Sequence, residues 1–132
     1  MSQEIVEALR PVYEAWERGD FTAGGFLLDE NIVFVVSPSF PNAGVFLGLE
    51  AVAKHMRELL DAWESLTVAA ESYTEAGDSV LVSIRQEGVG AGSGVPTELH
   101  FFHVWTFRAG KAVRFEAIAD ETEALEAVGL RE

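Results

Sequence analysis

The residue pattern predicts an α+β domain with its helices gathered on one face of an antiparallel sheet. Apolar stripes at helical spacing occupy the first half of the chain. Alternating strand patterns joined by tight turns occupy the second, and no repeat, linker or low-complexity tract divides them. The length of 132 residues, 48% of them apolar and 11% aromatic, is enough to bury a core without staples. The whole chain, 1–132, is therefore expected to be one unit.

The elements follow in order. Ile5, Leu9, Val12, Tyr13 and Trp16 form one helical stripe. Ser2 is placed to cap it and Gly19 to end it, and Pro11 predicts a kink or a shifted start. Asp20 can cap a short helix from Phe21 to Leu28, which the Gly24-Gly25 pair weakens. Ile32 to Val36 is a β-branched run and reads as a strand. Ser37 to Gly48, with two prolines and two glycines, reads as a long loop. A second helix puts Val52, His55, Met56, Leu59, Leu60 and Trp63 on one face. Leu66–Glu75 and Ser79–Glu87 flank a Glu-Ala-Gly-Asp turn as a hairpin. The glycine-rich stretch Gly88–Pro96 leads to a second hairpin, Thr97–Phe107 and Lys111–Ala119, around Arg108-Ala109-Gly110. Asp120 with Glu123 caps a last helix ending near Gly129.

Composition then excludes whole classes of partner. Nine basic and 22 acidic residues leave a net charge of −13, which repels phosphate backbones and anionic lipid surfaces. Neither nucleic acid nor membrane is expected as a partner. Glu4, Glu7 and Glu14 interrupt the N-terminal apolar residues, so no signal peptide is expected there, and no segment has the length of uncharged sequence that spans a bilayer. With no cysteine there is no thiolate nucleophile and no cysteine-based zinc site, and the chain suits a reducing, cytoplasmic setting. Gly88, Gly90, Gly92 and Gly94 alternate with other residues and lack the Lys-Ser or Lys-Thr of a phosphate loop. No cofactor is expected.

Several segments in this order resemble the nuclear transport factor 2-like superfamily, and within it the SnoaL-like group that includes polyketide cyclases. They are Trp16-Glu17-Arg18-Gly19-Asp20-Phe21, Leu28-Asp29-Glu30-Asn31-Ile32-Val33-Phe34, Gly48-Leu49-Glu50-Ala51-Val52, and His103 through Val113. The resemblance spans nearly the whole chain. It implies a cone, in which a strongly curved antiparallel sheet wraps the N-terminal helices around a pocket open at one end. It also implies a homodimer through the outer face of the sheet.

A shared fold does not carry activity with it, so each site residue has to be matched. Where the polyketide cyclases carry an acid/base aspartate, this chain has Ala117, and limonene epoxide hydrolase likewise places an aspartate near that point. The carboxylate base of ketosteroid isomerase matches Val35, and its oxyanion-binding aspartate and tyrosine match Phe102 and Val12. The known mechanisms of the family are therefore incomplete here.

Matched in this way, the cone is expected to be lined by Val12, Trp16, Val35, Met56, Trp63, Val82, Ile84, Phe102, Val104, Phe115, Ala117 and Ala119. Glu98 and His100 are expected on the same inward face as Phe102. His100, held by Glu98 and with His55 across the pocket, is then the candidate general acid or base, because imidazole exchanges protons near neutral pH. Arg85, Phe101, His103, Trp105, Arg114, Glu116 and Ile118 fall on the opposite parity and are the expected dimer interface, where arginine and aromatics are enriched. His100 and His103 oppose each other across the sheet, so no metal site is expected. Three readings stay open: an enzyme of cyclase, isomerase or hydrolase type, a non-catalytic binder of an apolar small molecule, and a dimeric scaffold with a filled cone.

Overall fold

The computed structural model describes residues 2–22, 24–40 and 43–130. Helix α1 (Ser2–Glu17) runs through Pro11 and is followed by a 3₁₀ turn at Gly25–Leu27. Strands β1 (Leu28–Val36) and β2 (Gly44–Leu47) precede helix α2 (Gly48–Asp61). Four strands follow, β3 (Trp63–Ala76), β4 (Ser79–Gly90), β5 (Pro96–Arg108) and β6 (Lys111–Ile118), and then helix α3 (Glu121–Ala127). All six strands form one sheet in the order β2-β1-β6-β5-β4-β3.

Most elements lie where the sequence puts them, with three local differences. The Ser2 side chain and residues 41–42 of the expected long loop lie outside the described residues. The rest of that loop holds the short edge strand β2, which the prolines and glycines around it obscure. Asp20 does not begin a regular helix. Its carboxylate accepts hydrogen bonds from the Thr22 backbone (3.1 Å) and hydroxyl (2.6 Å), a local turn that competes with helix. Trp63, expected on the second helix, opens β3. At the other end of the chain, Asp120 caps α3 by accepting from the Glu123 amide at 3.0 Å.

The sheet is mixed, because β1 runs parallel to β6 while every other pair is antiparallel. It is also curled. Helix α2 packs against both β1 and β3, which four inter-strand steps separate. Curling brings these strands, which would lie roughly 19 Å apart in a flat sheet, toward one helix about 10 Å across. Helices α1 and α2 therefore sit in the hollow, while α3 packs on the outer face against β5 and β6.

Register decides which side chains see that hollow. On β4 and β6 the inward set is the expected one: Val80, Val82 and Ile84, and Phe115 and Ala117, all join the main core. On β1 and β5 the expected parity is reversed. Ile32, Phe34 and Val36 point inward and Val33 and Val35 outward, while Phe101, His103, Trp105 and Phe107 point inward and Phe102 and Val104 outward.

The cause at β5 is one residue. The β5–β6 hairpin closes through a two-residue loop with both φ angles positive, Ala109 at 53° and Gly110 at 82°, the backbone of a type I′ turn. Arg108 then pairs with Lys111 and Phe107 with Ala112, but Thr106 pairs with Arg114. Val113 is left over as a bulge, and beyond it Trp105 faces Phe115 and His103 faces Ala117. Counting without the bulge sets Val104 against Phe115 and Phe102 against Ala117, which turns every β5 side chain to the wrong face.

Candidate ligand pocket

The hollow contains a cavity of about 400 Å³ between α2, the end of α1 and the inner face of the sheet. Its walls are largely aromatic and aliphatic. Phe34 and Val36 come from β1, Leu66 and Val68 from β3, Leu99 and Phe101 from β5, and Phe115 and Ala117 from β6. Trp16, Phe21 and Phe40 close one side, and Met56, Leu59 and Trp63 another. The Trp63 ring lies over Gly88, where an added Cβ would come within 2.7 Å of it; a glycine is needed there for the ring to reach the wall. The polar residues at the walls are His55, Glu58, Gln86 and His103.

Aromatic contacts tie the two histidines together. His55 lies 4.2 Å from the Phe46 ring and 5.3 Å from Phe34. Phe34 stacks on Phe115 at 4.9 Å, and Phe115 meets His103 at 4.7 Å and stacks on Trp105 at 4.1 Å. His55 is buried, and that desolvation lowers its pKa below the usual histidine value, with Glu58 opposing the shift. The shift is larger at His103, where burial takes the pKa from 6.5 down to about 3. Both imidazoles are neutral at pH 7.

Beneath the cavity lies a buried polar chain. The Trp105 indole N–H donates to the Tyr13 hydroxyl at 2.7 Å, and that hydroxyl sits 2.7 Å from Nδ1 of His103. Burial raises the Tyr13 pKa well above its ordinary value, so the phenol keeps its proton. Tyrosine and tryptophan carry polar atoms that need partners when buried, and here each supplies the other's.

The predicted site residues divide into four groups. Trp16, His55, Met56, Trp63, Phe115 and Ala117 line the cavity. Val12, Val82 and Ile84 lie in the main core and do not line it. Val35, Phe102 and Val104, expected inside, sit on the outer face, and Ala119 follows β6 half-buried. Glu98 and His100 are also outside, where they bond to each other at 2.8 Å on an exposed surface that includes Glu71 and Arg85. His55 and His100 are therefore not brought together across the pocket. In the expected interface set, Arg85, Arg114, Glu116 and Ile118 do lie on the outer face, whereas Phe101, His103 and Trp105 face the hollow. Sequence reasoning missed Tyr13 and the polar role of His103. The available signal was a tyrosine on the buried stripe of the first helix, which calls for a polar partner on the facing sheet. Among the described residues no three His, Asp or Glu side chains are grouped to hold a metal ion, and no helix is long and apolar enough to cross a membrane.

Comparison with solved structures gives the same fold. An NTF2-like protein of unknown function from Burkholderia pseudomallei K96243 superposes with a TM-score of 0.77 at 23% identity, covering 98% of this chain and 99% of that one. A candidate SnoaL-like polyketide cyclase from Jannaschia sp. CCS1 does so at 0.77 and 16%, covering 99% and 95%. TerC, co-crystallised with polyporic acid, matches at 0.74 and 24%, covering 93% and 96%. At such identities the likeness establishes the fold alone. No curated protein matches the chain. The SnoaL-like domain model matches residues 9–115, which is most of the sequence, and the chain is accordingly a member of the SnoaL-like family within the NTF2-like superfamily.

Proposed function

We propose that this chain binds one small, predominantly apolar molecule in the cavity between α2 and the inner sheet face. The observation that carries the reading is the cavity itself. Its volume of about 400 Å³ falls within the roughly 300–1,000 Å³ of small-molecule sites, and its walls are aromatic with a few polar groups. A filled cone would leave no such space. If the bound molecule is turned over, the acid–base work falls to His55 and His103, since His100 and Glu98 lie on the far side of the sheet. The cytoplasm, expected from the absence of cysteine, is the proposed setting.

The test is titration with N-phenyl-1-naphthylamine, an uncharged apolar dye that fluoresces when shielded from water. The native protein should bind one dye per chain. Ala117→Trp, which fills the cavity from β6, should weaken binding more than about tenfold while far-UV circular dichroism is unchanged. Absence of binding to the native chain, or equal binding by the filled variant, would reject the reading.

A second proposal concerns self-association. The outer face of β1 and β2 carries Val33 and Val35 beside Val45 and Leu47, the latter two 61% and 68% exposed, and the row continues to Arg114 and Glu116 on β6. An exposed apolar stripe rimmed by charge suits a homodimer through the outer sheet face. Val45→Glu with Leu47→Glu should convert a dimer to a monomer in light scattering. A native chain that is monomeric at high micromolar concentration would end this proposal.

A further inference from the structure

In the buried chain from Trp105 to His103, only one arrangement of protons leaves no buried hydroxyl hydrogen unpaired. An indole nitrogen can only donate, so the Tyr13 oxygen accepts from Trp105. No other polar group among the described residues meets the Tyr13 hydroxyl, so its single proton goes to Nδ1 of His103. Nδ1 is then the acceptor, and the ring proton resides on Nε2. Nε2 has no protein partner among the described residues. Arg85 Nε is the one side-chain polar atom there that is both unpartnered and sealed from solvent, so Nε2 has access to the cavity that His103 lines.

We propose that His103 selects, among apolar ligands, those bearing an uncharged carbonyl oxygen, through an Nε2–H that the Trp105–Tyr13 chain holds in one tautomer. The inference rests on the cavity being a binding site and deepens that reading by naming the ligand class. A ligand whose polar group only donates finds no acceptor on this ring, because Nδ1 is already occupied. An anion finds no formal positive charge there: His103 stays neutral at physiological pH, and Glu58 at the wall disfavours negative charge. The aromatic walls, with Phe34, Phe101, Phe115 and Trp16, favour a flat, unsaturated ligand body. Tyr13 acts through His103 and is a positioning residue.

The experiment compares 1-tetralone with tetralin, which differ by a carbonyl in place of a methylene, by isothermal titration calorimetry. A carbonyl entering an apolar pocket without a donor loses its hydration uncompensated, so tetralin would then be preferred. The native chain should bind tetralone at least as tightly as tetralin. His103→Leu should weaken tetralone by roughly five- to tenfold and tetralin by less than about twofold. Equal weakening of both ligands, or an unchanged ratio, would overturn the inference and leave the pocket reading intact. Binding of neither ligand to the native chain would count against the pocket reading, and the inference would fall with it. Nitrogen-15 NMR of the native histidines removes dependence on the variant. His103 should show a proton on Nε2 and none on Nδ1, and Tyr13→Phe should mix the two tautomers. A proton on Nδ1 in the native chain overturns the inference.

Discussion

His100 and His103 lie three residues apart on one strand and occupy opposite environments. His103 is 7% exposed, ringed by Phe101, Phe115, Trp16 and Tyr13, and has no carboxylate among its polar contacts. The His100 side chain is 58% exposed and lies between two carboxylates, Glu98 at 2.8 Å and Glu71 at 3.6 Å. The better-looking acid–base pair is thus the one in water, where an ion pair contributes about 0–1 kcal/mol. The inner histidine has no charged partner, yet its surroundings fix both its protonation and its tautomer. Burial and a single neutral hydrogen bond define a functional group more sharply here than proximity to a carboxylate does.

The largest test of this contrast removes the floor under the inner ring. Phe115→Ala deletes the stacking partner of Phe34 and Trp105 and the edge contact to His103, and should cost about 3–5 kcal/mol in urea unfolding. Arg114→Ala, one residue away on the outer face of the same strand and 46% exposed, should change stability by no more than about 1 kcal/mol. Similar losses from both would erase the distinction between the faces.

Acid gives the next effect. The unfolded chain protonates His103 near pH 6.5, whereas the folded chain resists down to about 3. The unfolded state therefore binds more protons in that window. Stability is complete above pH 6.5 and declines as pH falls toward 3, by about 2 kcal/mol between pH 6.5 and 5 from this group. His103→Gln can still accept from Tyr13 but does not titrate, so it should flatten that part of the profile. His100→Gln should leave it in place. A native profile that is flat from pH 6.5 to 5 would contradict the buried, neutral assignment.

The smallest effect is expected from the exposed pair. His100→Ala and Glu98→Ala should each shift stability by less than about 0.5 kcal/mol and leave dye binding in the cavity unchanged. Loss of binding in either variant would restore the outer pair to the site.

Legibility followed the chemistry of each strand. Around Arg114 and Glu116 on β6, and Ser83 and Arg85 on β4, polar residues alternate with apolar ones, and the inward set could be read directly. In Ile32–Val36 and Phe101–Phe107 apolar residues fall on both parities, so alternation carries no information. At β5 the reason is α3, which covers Phe102 and Val104 from outside and makes a second small core with Leu81, Ile118 and Ala124. A strand covered on both faces loses the polar marker that would orient it. The α+β class and the cone were legible from element order and resemblance. The cavity residues from the helices, Trp16, His55 and Met56, were legible from stripe geometry, while His103, the polar partner of Tyr13, required the register that the bulge conceals.

That bulge has a bearing on how sites are transferred between relatives. Val113 is an odd step in the count, so positions on β6 and their neighbours on β5 stay in phase only if the comparison treats it as an insertion. A pairing count run back from Arg108–Lys111 without Val113 keeps β6 in place and exchanges the lining of β5 for its exterior. One unpaired valine is enough to set Phe102 in place of His103 at the wall of the hollow.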